Sequence, residues 1–180
     1  MTEVDTLILG GTILCLNDHM TRIDDGALAI AGDAIIALGS KDELRDKFTS
    51  QNIIDGTKTL IMPGLINSHT HAAMTCFRGI ADDMNLMDWL NHYIFPAEAR
   101  NVDPELAYWG SLLACAEMIK SGTTSFCDMY IFEDETARAA QEAGMRCLLG
   151  EVLFDFPSPN YQTPQAGPVS YTHLDVYKRQ

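Results

Sequence analysis

The sequence predicts an α/β protein made of two parts. Residues 5–62 contain short apolar runs separated by glycines, which indicates a small β region that forms one portion of a sandwich. From Pro63 onwards, strand-like and helix-like segments alternate, as is typical of a parallel sheet with helices packed outside it. The third observation is the tripeptide His69-Thr70-His71, which follows the first apolar strand of this second part. In (β/α) barrels the functional residues lie at the C-terminal ends of the strands, which is the position that this tripeptide occupies.

The elements of the β region follow from its apolar runs and turn residues. Gly32 is expected to form the turn of a hairpin, because glycine tolerates the positive φ that tight turns need. Ser40 is a suitable N-cap for a short helix, since its hydroxyl can accept a hydrogen bond from the first turn. The predicted elements are, in order, strands at 6–9, 12–14, 27–31 and 34–38, a helix at 41–48 and a strand at 52–55.

The second part is expected to contain three strands and two longer helices. A long connection at 72–102 follows the histidines, and long connections in such folds are usually functional. Asp103-Pro104-Glu105 then starts a helix, because aspartate caps, proline suits the first turn and glutamate suits the positive end of the dipole. Apolar residues at helical spacing follow, namely Leu106, Trp109, Leu113, Ala116 and Ile119. The remaining predicted elements are a strand at 123–128, a helix at 133–143 and a strand at 145–154.

His69 and His71 are the candidate metal ligands. Side chains two residues apart on a strand point to the same face, so the two imidazoles converge on one point. Imidazole nitrogen binds zinc, iron or nickel well and is neutral at working pH. The alternative is that two of the five histidines fall together by chance and form a structural pair.

Composition excludes several classes of partner. Twelve basic against 25 acidic residues give a net charge of −13, which disfavours nucleic acid or an anionic membrane surface. No apolar segment is long enough to span a bilayer, and the N-terminus lacks the features of a secretory signal. The five cysteines are scattered and form no CxxC motif, which indicates reduced thiols in a cytoplasmic protein.

Three motifs in order carry a family resemblance. The segment PGLINSHTHAAMTCFRGIADDMNLMDWL, followed by IFPAEAR and by MIKSGTTSFCDMY, closely resembles the start of the barrel in metal-dependent amidohydrolases. The nearest branch is the methylthioadenosine/S-adenosylhomocysteine deaminases, which are related to triazine chlorohydrolases and guanine deaminase. The similarity covers about residues 3–160 and includes the N-terminal hairpins. It implies a (β/α)8 TIM barrel preceded by a portion of a composite β-sandwich.

The resemblance also implies a reaction. It is hydrolytic deamination of an adenine-type nucleoside, in which metal-activated hydroxide attacks the amine-bearing ring carbon and ammonia leaves. One divalent metal is implied, with Zn²⁺ as the expected ion and iron, nickel or manganese as alternatives. His69 and His71 would be its first two ligands. The family's third histidine, catalytic glutamate and aspartate ligand follow later strands, so no catalytic residue is identifiable in this chain.

The resemblance assigns roles to other residues. Glu98, within IFPAEAR, matches the family position whose carboxylate binds the ribose hydroxyls, although out of context it is a solvated glutamate before a helix. Trp89 either lines the purine pocket or packs against neighbours. Asp128 is expected to support the site rather than react. Local hydrogen bonds and ion pairs are expected for Arg78 and for Asp82-Asp83.

The chain is expected to be part of a longer protein. A complete barrel needs about 250 residues, whereas 63–167 supply about three strand–helix units after the sandwich portion at 1–62. The ending PVSYTHLDVYKRQ resembles translated vector sequence, so residues 168–180, including His173, are set aside. Two histidines alone hold a metal weakly, so we expect the parent to be active and this polypeptide to be inactive.

The exact substrate stays open at this point. Some members of the family place a substrate-binding arginine where this chain has Gly150-Glu151. A purine nucleoside is the expected substrate. The alternatives are another amidohydrolase acting on a guanine, cytosine, triazine or cyclic amide, or a non-catalytic β/α module in which the histidines are a structural pair. The sequence does not indicate an oligomeric state.

Overall fold

The chain forms two compact units. A computed structural model describes residues 1–154, 157–161 and 163. The units divide between Pro63 and Gly64, one residue beyond the boundary expected from the sequence. The segment 168–180 that was set aside, with His173 in it, lies outside the described residues. Within the described ranges, no helix combines the length and apolarity that crossing a bilayer requires.

The first unit consists of short strands and one helix. Its largest sheet has four strands in the order β6-β5-β2-β8, beside a three-stranded sheet β4-β3-β9 and the pair β1-β7. The elements are β1 (Thr2–Glu3), β2 (Thr6–Leu9), β3 (Thr12–Leu14), β4 (Arg22–Ile23), β5 (Gly26–Ala31), β6 (Ala34–Ser40), α1 (Lys41–Lys47), β7 (Phe48–Thr49), β8 (Asn52–Asp55) and β9 (Leu60–Ile61).

The predicted local structure of this unit is confirmed. β5 and β6 form the expected antiparallel hairpin, in which Ala31 faces Ala34 and Gly32 has a φ of +58°. The Ser40 side chain accepts from the Glu43 backbone N–H at the start of α1. One core cluster of the unit is formed by the buried apolar side chains Val4, Leu7, Ala27, Ala29 and Leu44.

The second unit is built on three parallel strands in chain order. β10 (Leu65–Thr70) pairs with β11 (Thr123–Tyr130), which pairs with β12 (Arg146–Glu151). The order is that of successive barrel strands, and it confirms the predicted parallel sheet. The segments between β10 and β11 are a 3₁₀ turn (Ala72–Phe77), α2 (Leu86–Trp89), a π-helical turn (Leu90–Ile94), α3 (Phe95–Asn101) and α4 (Pro104–Lys120). α5 (Glu133–Ala143) connects β11 to β12.

The buried face of α4 is lined mainly by small side chains and does not carry the bulky apolar residues that repeat at helical spacing. Trp109, Leu113 and Ile119, which recur at helical spacing, are 57%, 47% and 51% exposed. The buried residues are instead Ala107, Tyr108, Gly110, Ser111, Ala114, Cys115 and Met118. A Cβ on Gly110 would lie 2.5 Å from the Ala73 carbonyl oxygen, so the 3₁₀ turn packs directly on the helix backbone. Such close packing selects small side chains on this face of the helix.

Candidate metal centre

The two histidines of the HxH motif come together at the end of β10. Their ring centroids are 5.0 Å apart and the ring planes are inclined at 76°. β10 ends at Thr70, so His71 lies just beyond the strand, with φ −130° and ψ 75°, and precedes the 3₁₀ turn. The predicted convergence of the rings therefore holds, although only His69 belongs to the strand.

A backbone carbonyl fixes the tautomer of His71. The Nδ1 atom of His71 lies 2.6 Å from the carbonyl oxygen of Met129 on β11. A carbonyl oxygen only accepts hydrogen bonds, so Nδ1 must carry a proton. In the neutral ring, the Nε2 atom then holds the free lone pair. His71 is thus prepared to bind a metal through Nε2, and a hydrogen bond of this kind also orients metal-bound histidines in general.

Asp128 holds the backbone on both sides of His71. Its side chain is 1% exposed and stands opposite Thr70 in the β10–β11 register. The backbone N–H of Ala72 donates to both carboxylate oxygens, at 2.9 and 3.1 Å, and the Thr70 hydroxyl donates to Oδ1. One buried carboxylate therefore ties the residue before His71 to the residue after it. These contacts give Asp128 a supporting position: its hydrogen bonds within the described part of the chain go to Thr70 and Ala72, on either side of the imidazole-bearing residue.

Glu98 lies at the same end of the sheet. The Tyr130 hydroxyl donates to Oε1 of Glu98 at 2.7 Å, and the Tyr130 ring centroid is 6.1 Å from that of His71. Burial raises the pKa of Glu98, while the Tyr130 hydroxyl and the nearby His71 act in the opposite direction. In the part of the chain that the structure describes, the side chain of Glu98 uses only Oε1 in hydrogen bonding. Its second oxygen is free to accept from a ligand.

The structure does not bring Trp89 to the histidines. The indole N–H of Trp89 donates to the backbone carbonyl of Ile80 at 3.1 Å, and no ring contact links the indole to the histidines among the described residues. Arg78 forms the local ion pair that the sequence predicted, with its guanidinium 2.6 and 3.0 Å from the Glu117 carboxylate.

Sequence analysis missed Tyr130, Glu133 and Glu151. Glu151 ends β12, and its carboxylate accepts from the backbone N–H groups of Phe132 and Glu133 at 3.0 and 2.7 Å. It therefore caps the N-terminus of α5. Glu133 is buried near Asp128, and neither of its carboxylate oxygens has a hydrogen-bond partner within the described ranges. Their positions could have indicated a role, since all three residues lie at or just beyond the C-terminal ends of strands.

The donor set suits part of a divalent-metal site. Two imidazoles face one another, and one of them has its free lone pair fixed on Nε2. Among the residues described, no group of three or more histidine, cysteine, aspartate or glutamate side chains is placed to hold an ion. Metal sites of this chemistry need three or four protein ligands. The pair fits such an ion only together with further ligands.

Comparisons with known proteins identify relatives of the chain. Residues 60–175, more than half of the chain, match the model of the amidohydrolase family. The 5-methylthioadenosine/S-adenosylhomocysteine deaminase 1 of Syntrophus aciditrophicus is 78% identical over 178 residues, which are 99% of this chain and 40% of that protein. The chain therefore spans about two fifths of this curated relative. Both alignments run past Pro168, and the assignment of 168–180 as an added segment stays a prediction.

Solved structures show the same fold. An adenosine deaminase from Xanthomonas campestris with bound zinc gives a TM-score of 0.94 at 33% identity, over 99% of this chain and 41% of that one. An atrazine chlorohydrolase from Arthrobacter aurescens, complexed with zinc, gives a TM-score of 0.81 over 97% of this chain and 43% of that one. At 22% identity the second likeness concerns the fold alone. Together they confirm the predicted fold class.

Proposed function

This chain belongs to the amidohydrolase family, and from that premise we propose that it is the N-terminal part of a metal-dependent deaminase of adenine-type nucleosides. The observation that carries the proposal is the pair His69 and His71, with rings 5.0 Å apart and His71 Nε2 left free by the bond to Met129. The high identity to a methylthioadenosine/S-adenosylhomocysteine deaminase over almost the whole chain supports the substrate class.

His69 and His71 would supply two of the ligand atoms of the metal. A bound divalent ion, with zinc as the favoured choice, lowers the pKa of water enough to provide a nucleophile near neutral pH. Zinc is favoured because the similar Xanthomonas campestris structure contains it. Residues of this chain orient the imidazole of His71 and the backbone around it. Met129 fixes the ring of His71 and Asp128 fixes the backbone around it.

Glu98 and Tyr130 are proposed to select a hydroxyl-bearing substrate. The Tyr130 hydroxyl holds Oε1 of Glu98, so Oε2 can accept from the vicinal hydroxyls of a ribose. A bare heterocycle such as a triazine offers no such donors. We therefore favour a nucleoside over the ring substrates of other amidohydrolases. The role of Trp89 in a purine pocket has no support from its contacts, because the indole N–H is bonded to Ile80.

The proposed activity belongs to a longer protein. The chain spans 40% of the Syntrophus aciditrophicus deaminase and 41% of the Xanthomonas campestris structure. Two imidazoles without further ligands bind a metal weakly, so the 180-residue polypeptide is expected to be inactive. We also propose that the protein is cytoplasmic and that it acts in nucleoside salvage. All five cysteines are free thiols, which suits a reducing compartment.

The test is ammonia release by the longer, zinc-loaded protein. Methylthioadenosine, S-adenosylhomocysteine and adenosine should be deaminated, whereas guanine and a triazine should not. Glu98→Gln should raise KM for the nucleosides, and Glu105→Gln, an exposed glutamate on α4, serves as the matched control. Preference for a bare ring, or an unchanged KM in Glu98→Gln, would contradict the proposal. Turnover by the 180-residue chain that His69→Ala abolishes would refute its expected inactivity.

A further inference from the structure

Glu133 is a buried carboxyl group without a compensating partner. It follows Phe132, whose φ of +59° is strained for a residue with a side chain, and it begins α5. Its side chain is 1% exposed, and both carboxylate oxygens lack hydrogen-bond partners within the described ranges. An isolated buried carboxylate is costly, so such groups are usually paired, bonded or neutralised by a proton.

The charged groups that act on Glu133 are themselves acidic. Asp128 on β11 and Glu151 on β12 both oppose ionisation of Glu133, and among the described residues no cationic side chain offsets them. Burial first, and then Asp128, raise the pKa of Glu133 to about 10, against a small opposing influence of the Tyr130 backbone amide. Neutralisation by a proton is therefore the solution that remains for this residue.

The positions of hydrogen-bond donors indicate which of the three carboxyl groups are ionised. The backbone N–H of Ala72 and the hydroxyl of Thr70 both donate to Asp128. Two backbone N–H groups donate to Glu151. Donors stabilise the ionised form of the group that accepts them. Within the described structure no donor reaches Glu133 with hydrogen-bond geometry, and only the Tyr130 backbone amide acts weakly in that direction. A proton shared among these three carboxyl groups is therefore held by Glu133. The protonated Glu133 can then donate a hydrogen bond.

We propose that Glu133 is a neutral carboxylic acid that donates a hydrogen bond to Asp128 and so acts as a positioning residue for the backbone around His71. This inference rests on the proposed metal role of His71 and adds Glu133 as the residue that orients Asp128. Asp128 ties Thr70 to Ala72, and Glu133 would hold Asp128 in that orientation. The chain of contacts is carboxylic acid, carboxylate, backbone and then imidazole.

Two substitutions separate the donor from the volume of the side chain. Glu133→Gln keeps a neutral donor of similar size, whereas Glu133→Met keeps the volume and removes the donor. In the longer protein, Glu133→Gln should retain zinc affinity within about threefold, while Glu133→Met should lose about 10- to 100-fold, as is typical when the support of a metal ligand is removed. Glu105→Gln is the surface control. Equal losses in the two Glu133 variants would overturn the proposal.

An infrared measurement tests the proton directly. Wild-type protein at neutral pH should show the C=O stretching band of a buried carboxylic acid, and that band should vanish in Glu133→Gln. Absence of the band in the wild type, or its persistence in Glu133→Gln, would overturn the proposal even if Glu133→Met fails to fold. A wild-type protein that binds no zinc contradicts the proposed function instead, and the infrared band still decides the protonation of Glu133.

Discussion

Replacement of Glu133 by glutamine should change how stability depends on pH. Burial raises the pKa of Glu133 from 4.5 to about 10 in the folded chain. The folded state then binds one more proton than the unfolded state between these two values. Stability contributed by this group is therefore fully present below pH 4.5 and is lost as the pH rises towards 10. Glutamine does not titrate, so Glu133→Gln removes this dependence.

The size of the effect follows from the width of this window. One proton of difference changes the free energy of unfolding by about 1.4 kcal/mol per pH unit. Between pH 5 and pH 8, the wild type should lose up to about 4 kcal/mol relative to Glu133→Gln. Titrating groups that do not interact with Glu133 are common to both proteins and cancel in the comparison. Full burial of the side chain leaves little solvent to screen the effect.

Urea unfolding followed by tryptophan fluorescence is the suitable assay. Both tryptophans, Trp89 and Trp109, lie in the second unit together with Glu133, so the signal reports on the relevant part of the chain. Unfolding free energies at pH 5 and pH 8 are compared among the wild type, Glu133→Gln and the control Glu105→Gln. Parallel pH profiles for the wild type and Glu133→Gln would refute the reasoning, because Glu133 would then titrate alike in both states.

Three further substitutions test separate contacts. Tyr130→Phe removes the donor that orients Glu98, so KM for methylthioadenosine should rise about fivefold with kcat little changed; an unchanged KM argues against this orientation. Gly110→Ala places a Cβ 2.5 Å from the Ala73 carbonyl oxygen and should lower the free energy of unfolding by about 1–3 kcal/mol in a urea titration. A neutral effect there would mean that the 3₁₀ turn does not pack as described. Arg78→Ala removes an exposed ion pair and should leave stability in thermal unfolding little changed, because solvent screens such a pair. A larger loss would indicate a structural role.

Local signals in the sequence predicted most of the second unit. The cap at Asp103, the stop at Gly144 and the alternation of strand and helix depend on neighbouring residues, and the structure has all three. Convergence of His69 and His71 also follows from adjacent positions in the chain. These features can be predicted without knowing which residues distant in the sequence are in contact.

Contacts behind the histidines depend on register and could not be predicted. The pairing of β10 with β11 shifts between Asn67 and Thr70, and this irregularity places Asp128 opposite Thr70. The donor–acceptor set around Asp128, and the burial of Glu133 near it, follow from that shift. The exposed bulky face of α4 has a similar cause, because close approach of Ala73 to Gly110 decides which face is buried.

Metal content tests the central claim most directly. The longer protein, loaded with zinc and freed of excess ion, should retain about one zinc per chain, as expected for a site completed by further ligands. Retention should be lost when His69 and His71 are both replaced by alanine, with the far-ultraviolet circular dichroism spectrum unchanged. A double variant that holds as much zinc as the wild type would contradict the account.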